Sequence, residues 1–283
     1  LADGIPFFPG NKWYLEEGGR IGNFYGWRNL GVYAWDESNA YNDNWDKLTL
    51  VLDEQGKPLY RDGKPVYTSD GQNYEGTVHH LYAADGKLKG GDAEWLNNKR
   101  DSLINDDDRM ILGNPTPDFY FGFMQTFTYH RFSLNVLFNG AIGGEVYNAL
   151  LQRQNYPSNT GAGSPDMVYN VWRKPGDEAK YPYYPERNNR GNMKTNQNSL
   201  YIEDASFIRL ASARLAYTFS PNLANKLKMK GLTTYIYGTN LLTWTNYRGY
   251  DPEFSTTNPL TPGEDDGRYP RRREFGFGVN VNF

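Results

Sequence analysis

The chain has 283 residues, enough for one large β domain or two smaller ones, and its formal net charge of −3 leaves no electrostatic footprint for nucleic acid. Cysteine is absent, which excludes a disulfide framework and thiolate metal sites. Mean hydropathy is −0.77 and no apolar run approaches the roughly 18 residues of a spanning helix, so helical membrane spans are excluded.

A membrane barrel stays open, because only alternate residues of its strands face lipid. The 30 Gly and 16 Pro point to many turns and few long helices. No signal peptide opens the chain and Leu1 is not an initiator Met, so the start reads as the middle of a longer protein. Residues 1–20, with Pro6, Pro9, Gly10 and the Glu16-Glu17-Gly18-Gly19 run, read as loop and turn. Residues 21–33 have strand composition. Residues 34–117 are polar and rich in Asp and Gly, with only short regular pieces such as 48–52. A connection of that length is a functional or elaborated loop.

A hairpin follows. Phe119, Phe121, Phe123, Phe127 and Tyr129 share one face, interrupted by Gln125. After the tight turn at His130, Phe132, Leu134, Val136 and Phe138 alternate with Ser133, Asn135, Leu137 and Asn139. A second long polar stretch, 143–203, leads to a strand over 207–219. The short connection 220–231 precedes a strand over 232–243, and a third long loop, 245–272, precedes the last one. There Phe275, Phe277, Val279, Val281 and Phe283 alternate with Gly276, Gly278, Asn280 and Asn282. A period of two puts each set on its own face, as in a soluble sandwich or in a wall between lipid and a wet lumen. The large apolar face, with aromatics at both ends, favours lipid. So does the order of connections, long and short in alternation, which is how outer-membrane barrels sort outer loops from inner turns. A sandwich has no reason to sort its loops by side.

Several blocks carry a family resemblance. They are Gly22-Asn-Phe-Tyr-Gly26, Asp108-Arg-Met-Ile-Leu-Gly-Asn-Pro-Thr-Pro-Asp-Phe119, Tyr129-His-Arg-Phe132 and Asn139-Gly-Ala-Ile-Gly-Gly144. Ser206-Phe-Ile-Arg-Leu210 and Leu215-Ala-Tyr217 follow, and the most specific is Asn240-Leu-Leu242 followed by Tyr247-Arg-Gly-Tyr-Asp-Pro-Glu253. In this order they resemble the C-terminal part of SusC-like TonB-dependent transporters. The resemblance implies an all-β fold: residues 1–283 as the C-terminal portion of a large antiparallel transmembrane β-barrel, 22-stranded in the family. Plug domain and N-terminal strands would lie outside this chain, since an open sheet edge is not viable in lipid. It further implies a bacterial outer-membrane location and import of glycans or peptides. The implied partners are a SusD-like surface lipoprotein over the long loops and the TonB complex acting through the N-terminal region. Pairing of two such complexes is implied as well, with no enzyme activity and no cofactor. A terminal Phe resembles the assembly signal of outer-membrane barrels, which makes Phe283 the candidate. The rival expectation is a secreted, non-enzymatic, carbohydrate-binding β-sandwich.

Candidate chemistry is sparse. His79 and His80 are adjacent, so their side chains splay apart, and no third ligand is spaced for a metal. The acidic run 101–109 sits where the resembling family often has a calcium-like turn. Here Asn97, Lys99, Asp101 and Ser102 stand in its place, and a Lys among oxygen ligands opposes a cation. A solvated acidic loop is expected. Glu203-Asp204 and Asp265-Asp266 are neighbours in sequence, whereas glycoside hydrolysis needs two carboxyls across a cleft. Gly161-Ala162-Gly163 lacks the Lys-Ser/Thr of a phosphate loop. No catalytic residue is assigned. Arg271-Arg272-Arg273, at the outer end of the last strand, suits lipopolysaccharide phosphates or pairing with loop acids. The loop aromatics Trp35, Trp45, Trp95, Tyr156, Trp172, Tyr181, Tyr183 and Tyr184 either stack on a ligand or partner or pack the loops together, and packing is expected for most.

Overall fold

A computed structural model describes residues 5–84, 86–155, 163–183, 197–253 and 258–283. The chain divides into two compact units, one of residues 1–113 with 148–202, the other of residues 114–147 with 203–283.

The second unit is built on one antiparallel meander. Its strands are β1 (Phe119–Tyr129), β2 (Phe132–Ile142), β3 (Phe207–Thr218), β4 (Gly231–Thr245) and β5 (Glu274–Asn282), paired in sequence order. The register turns the alternation of each strand into two continuous faces. One face carries the row Phe127, Leu134, Leu215, Ile236, Phe277, and beside it Gln125, Val136, Ala213, Gly238, Phe275. The other carries Thr126, Asn135, Arg214, Tyr237, Gly276 and Thr128, Ser133, Ala216, Tyr235, Gly278. Bulges at β3 shift the register between Leu137 and Phe138 and between Leu210 and Ser212, which keeps Leu210 on the apolar face with Phe138 and Leu242.

The apolar face is bare. Ile236 is 60% exposed and Phe277 84%, and among the described residues no second sheet covers them. An aromatic row borders this face at the short-turn end, where Tyr129, Phe132 and Tyr217 align and the last two rings lie 4.8 Å apart. Trp244 marks the opposite end. Bare, largely apolar rows between aromatic borders are what a lipid-facing wall requires.

Connections sort by end. His130-Arg131 closes β1 to β2, with His130 at a φ of 51°. A short helix, Pro221–Lys226, capped by the Ser220 hydroxyl, lies between β3 and β4 at the same end. The long connections, after β2 and after β4, leave from the other end.

In the first unit, the predicted strand over 21–33 is two strands. Asn23–Gly26 pairs with Met110–Gly113, and Asn29–Val32 pairs with Ala93–Trp95 in a separate sheet. The break falls at Trp27, whose indole donates to the Asn105 carbonyl while its backbone N–H donates to Gln197. Satisfying those two partners takes the chain out of one straight strand. The expectation of little regular structure in 34–117 is also corrected. Short hairpins there surround an aromatic core of Tyr33, Tyr41, Leu81, Leu88, Trp95 and Ile104, with Leu48 and Tyr67 in a second cluster.

Candidate functional site

The polar face of the wall is the first candidate surface, and its chemistry comes from β1 to β5. The Arg214 guanidinium lies 4.0 Å from the centre of the Tyr235 ring, a cation–π contact across adjacent strands. Asn135 accepts from the Thr126 hydroxyl at 2.7 Å. Tyr235 and Tyr237 lean over Gly278 and Gly276 of β5, where any Cβ would meet the rings. The result is a surface of phenol, guanidinium and amide groups that can stack on a polar solute and hydrogen-bond to it. None of these residues is singled out by sequence alone, although Tyr235 and Tyr237 occupy the positions that alternate with Thr234 and Ile236.

At the long-connection end of this face, two of the resembling motifs meet. Arg209, in Ser206–Leu210, pairs with Asp251 at 2.5 Å and with Glu253 at 3.3 Å, both in the Tyr247–Glu253 block. Arg271 adds its backbone N–H to Asp251 and its guanidinium to Glu253 at 2.8 Å. Of the two readings for Arg271, pairing with loop acids is the one this geometry matches; Arg272 lies 3.9 Å from Glu274.

The carboxylate pairs are structural anchors. Glu203 holds the Arg248 side chain at 2.9 Å and its N–H at 3.1 Å. Asp265 accepts from the Tyr247 hydroxyl at 2.5 Å and from the N–H groups of Gly267 and Arg268. Burial, then the hydrogen bond to Asp265, pushes the Tyr247 phenol well above its ordinary value. In the acidic run, Asp106 and Asp107 are exposed, while Ile104 joins the loop core. Asp108 is fully buried, and its carboxylate gathers the N–H groups of Lys99 and Asn105. Arg109 lies between the Tyr25 and Trp27 rings, so the Gly22–Gly26 and Asp108–Phe119 blocks also join. His79 pairs with Asp43 at 2.7 Å, and His80 donates to the Asn39 carbonyl at 2.5 Å.

The loop aromatics divide. Trp95, Trp172 and Tyr181 are buried inside the first unit, where they pack the loops together. The Trp172 indole donates to the Ala34 carbonyl, and its ring meets Tyr183 edge-on at 5.5 Å. Trp35 packs over Gly176. Trp45 is half-buried and borders an open cavity of about 390 Å³ whose lining includes Trp95. Tyr156 and Tyr184 lie outside the described residues, as do residues 161 and 162 of the Gly161-Ala162-Gly163 run. Phe283 follows β5 and is 78% exposed.

A meander with one bare apolar face, one polar face and sorted connections defines a class: a portion of the wall of a large antiparallel transmembrane β-barrel. No family model matches the chain. It is 37% identical, over its whole length, to TonB-dependent receptor P39 of Formosa agariphila and covers 27% of that protein. TonB-dependent receptor P26 of the same organism matches at 32% identity over 84% of the chain, covering 25% of the relative. Among solved structures, the RagAB peptide importer in its open-open state superposes with a TM-score of 0.59 at 19% identity, over 100% of this chain and 25% of that one. The chain thus spans about a quarter of the relatives it matches. It belongs to the TonB-dependent receptors, as a C-terminal portion of their barrel.

Proposed function

We propose that this chain supplies wall and outer vestibule to a SusC-like receptor that imports oligomeric nutrients, glycans or peptides, across the bacterial outer membrane. The observation that carries the reading is the two-faced sheet. Its apolar face, with Phe275 and Phe277 about four-fifths exposed, suits lipid, and its opposite face offers Tyr, Arg and Asn to a polar solute. The relatives are named as receptors, and the solved neighbour as a peptide importer, which supports transport over catalysis. A carbohydrate-binding sandwich would bury the apolar rows against a second sheet.

TonB acts, in this reading, on parts of the receptor outside this chain. A SusD-like surface lipoprotein sits over the long connections near 34–117, 143–203 and 245–272, and Phe283 serves as the assembly signal. The test is uptake by cells carrying the full-length receptor, with and without TonB and the lipoprotein, alongside pull-down from detergent extracts. Import that needs TonB, and a lipoprotein lost from the pull-down when the loops are trimmed, is the expected result. Unaltered uptake without the lipoprotein would remove the partner from the reading, and unaltered uptake without TonB would remove the mechanism.

A further inference from the structure

The short-turn end of the meander carries chemistry that neither a lipid-facing wall nor a solute-facing surface requires. Its β1–β2 turn brings His130 and Arg131, and its β3–β4 connection brings Lys226, Lys228 and Lys230. We propose that this rim holds a phospholipid by its anionic phosphodiester headgroup, with the acyl chains running along the bare apolar face. The proposal rests on the barrel reading, in which that face meets lipid.

Charge is the first argument. No Asp or Glu occurs in residues 119–144 or 205–250. The acidic side chains of this unit are Asp118, Glu145, Glu203, Asp204 and those within 251–274, and all belong to the long-connection end. Among the described residues, Arg131, Lys226, Lys228 and Lys230 form no ion pair, and all four are exposed. Four uncompensated cations on one rim repel one another until an anion joins them. Phosphate oxygens suit this set, because Arg can bind two of them at once and each Lys adds a point charge.

Shape is the second argument. A cavity of about 340 Å³ opens beside Arg131 and Lys230. Thr128, Ser133 and Thr218 line it from the polar face, and Phe132 and Phe219 from the side of the aromatic row. Phe219 extends that row, since its ring meets Tyr217 edge-on at 5.0 Å. Hydroxyls can donate to phosphate oxygens, while the rings offer an apolar ledge to the glycerol and the first methylenes. A free phosphate would leave that ledge unused. Leu223 and Leu227, four residues apart, are exposed beside the three lysines. Leucine and lysine together are the composition of a segment that lies at a membrane interface.

The test uses the full-length receptor, folded into vesicles of phosphatidylcholine alone or mixed equally with phosphatidylglycerol, then extracted in detergent. Native mass spectrometry counts the lipids retained. Insertion into phosphatidylcholine vesicles tests the wall, and preference for phosphatidylglycerol tests the rim, so the two readings fail separately. The wild type should retain phosphatidylglycerol over phosphatidylcholine. Arg131→Gln and Lys230→Gln should each weaken that retention about fivefold, and Lys57→Gln in the first unit should leave it unchanged. Heat-modifiable migration reports that each variant is folded. Equal retention of the two lipids, retention indifferent to both rim variants, or an equal loss in Lys57→Gln would overturn the proposal. So would displacement by inorganic phosphate as readily as by phosphatidylglycerol, which would make the rim a site for the free anion.

Discussion

Arg209 of β3 and Asp251 of the β4–β5 connection form an ion pair at 2.5 Å, and the guanidinium is only 2% exposed. A charge buried to that degree is tolerated because Asp251 and Glu253 both face it. Removing Asp251 leaves the buried guanidinium with Glu253 alone, at the longer distance of 3.3 Å. Asp251→Ala should therefore destabilise the connection by about 3–5 kcal/mol, read as new protease cleavage within residues 246–273 of the folded receptor. Cleavage no faster than in the wild type would show that Arg271 and Glu253 suffice to hold the connection.

That pair also marks how far the sequence can be read. The period of two in residues 119–138 and 275–283 assigns strands and faces correctly, because a half-buried strand leaves its alternation in the composition. The Ser206–Leu210 and Tyr247–Glu253 blocks are visible too, but nothing in one dimension says that Arg209 reaches Asp251, 42 residues on. Residues 34–113 carry even less of their fold in the sequence pattern. Their strands are two to four residues long, too short to carry a period, and their core is assembled from single aromatics scattered along the loop. Trp95 and Trp45 look alike in sequence; only the fold separates the buried one from the one at a cavity edge.

The two faces of the wall give a contrast between neighbouring substitutions. Val279 falls in the aromatic border row with Thr234 and Tyr217, whereas Ile236 and Phe277 lie one row further into the apolar band. Ile236→Arg should cost about 2–4 kcal/mol, Val279→Arg less, and Asn280→Arg on the polar face least. Urea titration of the refolded receptor in lipid vesicles measures all three. Equal costs for Ile236→Arg and Asn280→Arg would reverse the lipid assignment.

Tyr237 and Gly276 are cross-strand partners, and a Cβ at position 276 would lie 2.5 Å from the Tyr237 ring. Glycine is therefore the residue that lets the phenol lie flat along the wall. Gly276→Ala alone should destabilise the β4–β5 pair, and in a Tyr237→Ala background it should be nearly neutral. The double-mutant cycle should give a coupling of about 1 kcal/mol or more. Additive effects would mean that the ring has room to move aside.

The last prediction concerns pH and the loop core. His80 donates to the carbonyl of Asn39, a fully buried residue whose side-chain amide in turn serves the Leu81 and Leu88 carbonyls. Partial burial, aided by the nearby Lys87 and His79, holds the His80 imidazole below its ordinary value of 6.5, against a smaller opposing effect of the Asn39 hydrogen bond. The folded state therefore favours neutral imidazole. As pH falls through 6.5 the unfolded chain takes up the proton first, so it binds more protons than the folded one and stability falls. The loss begins near the ordinary value and is complete once pH has dropped below the lowered folded one. Amide exchange at Leu81, whose N–H donates to the Asn39 side chain, should accelerate as pH falls through 6.5 beyond the intrinsic pH effect. In His80→Gln the extra acceleration should vanish, while a variant at the exposed His130 should keep it. The same acceleration in His80→Gln would assign the pH response to another group.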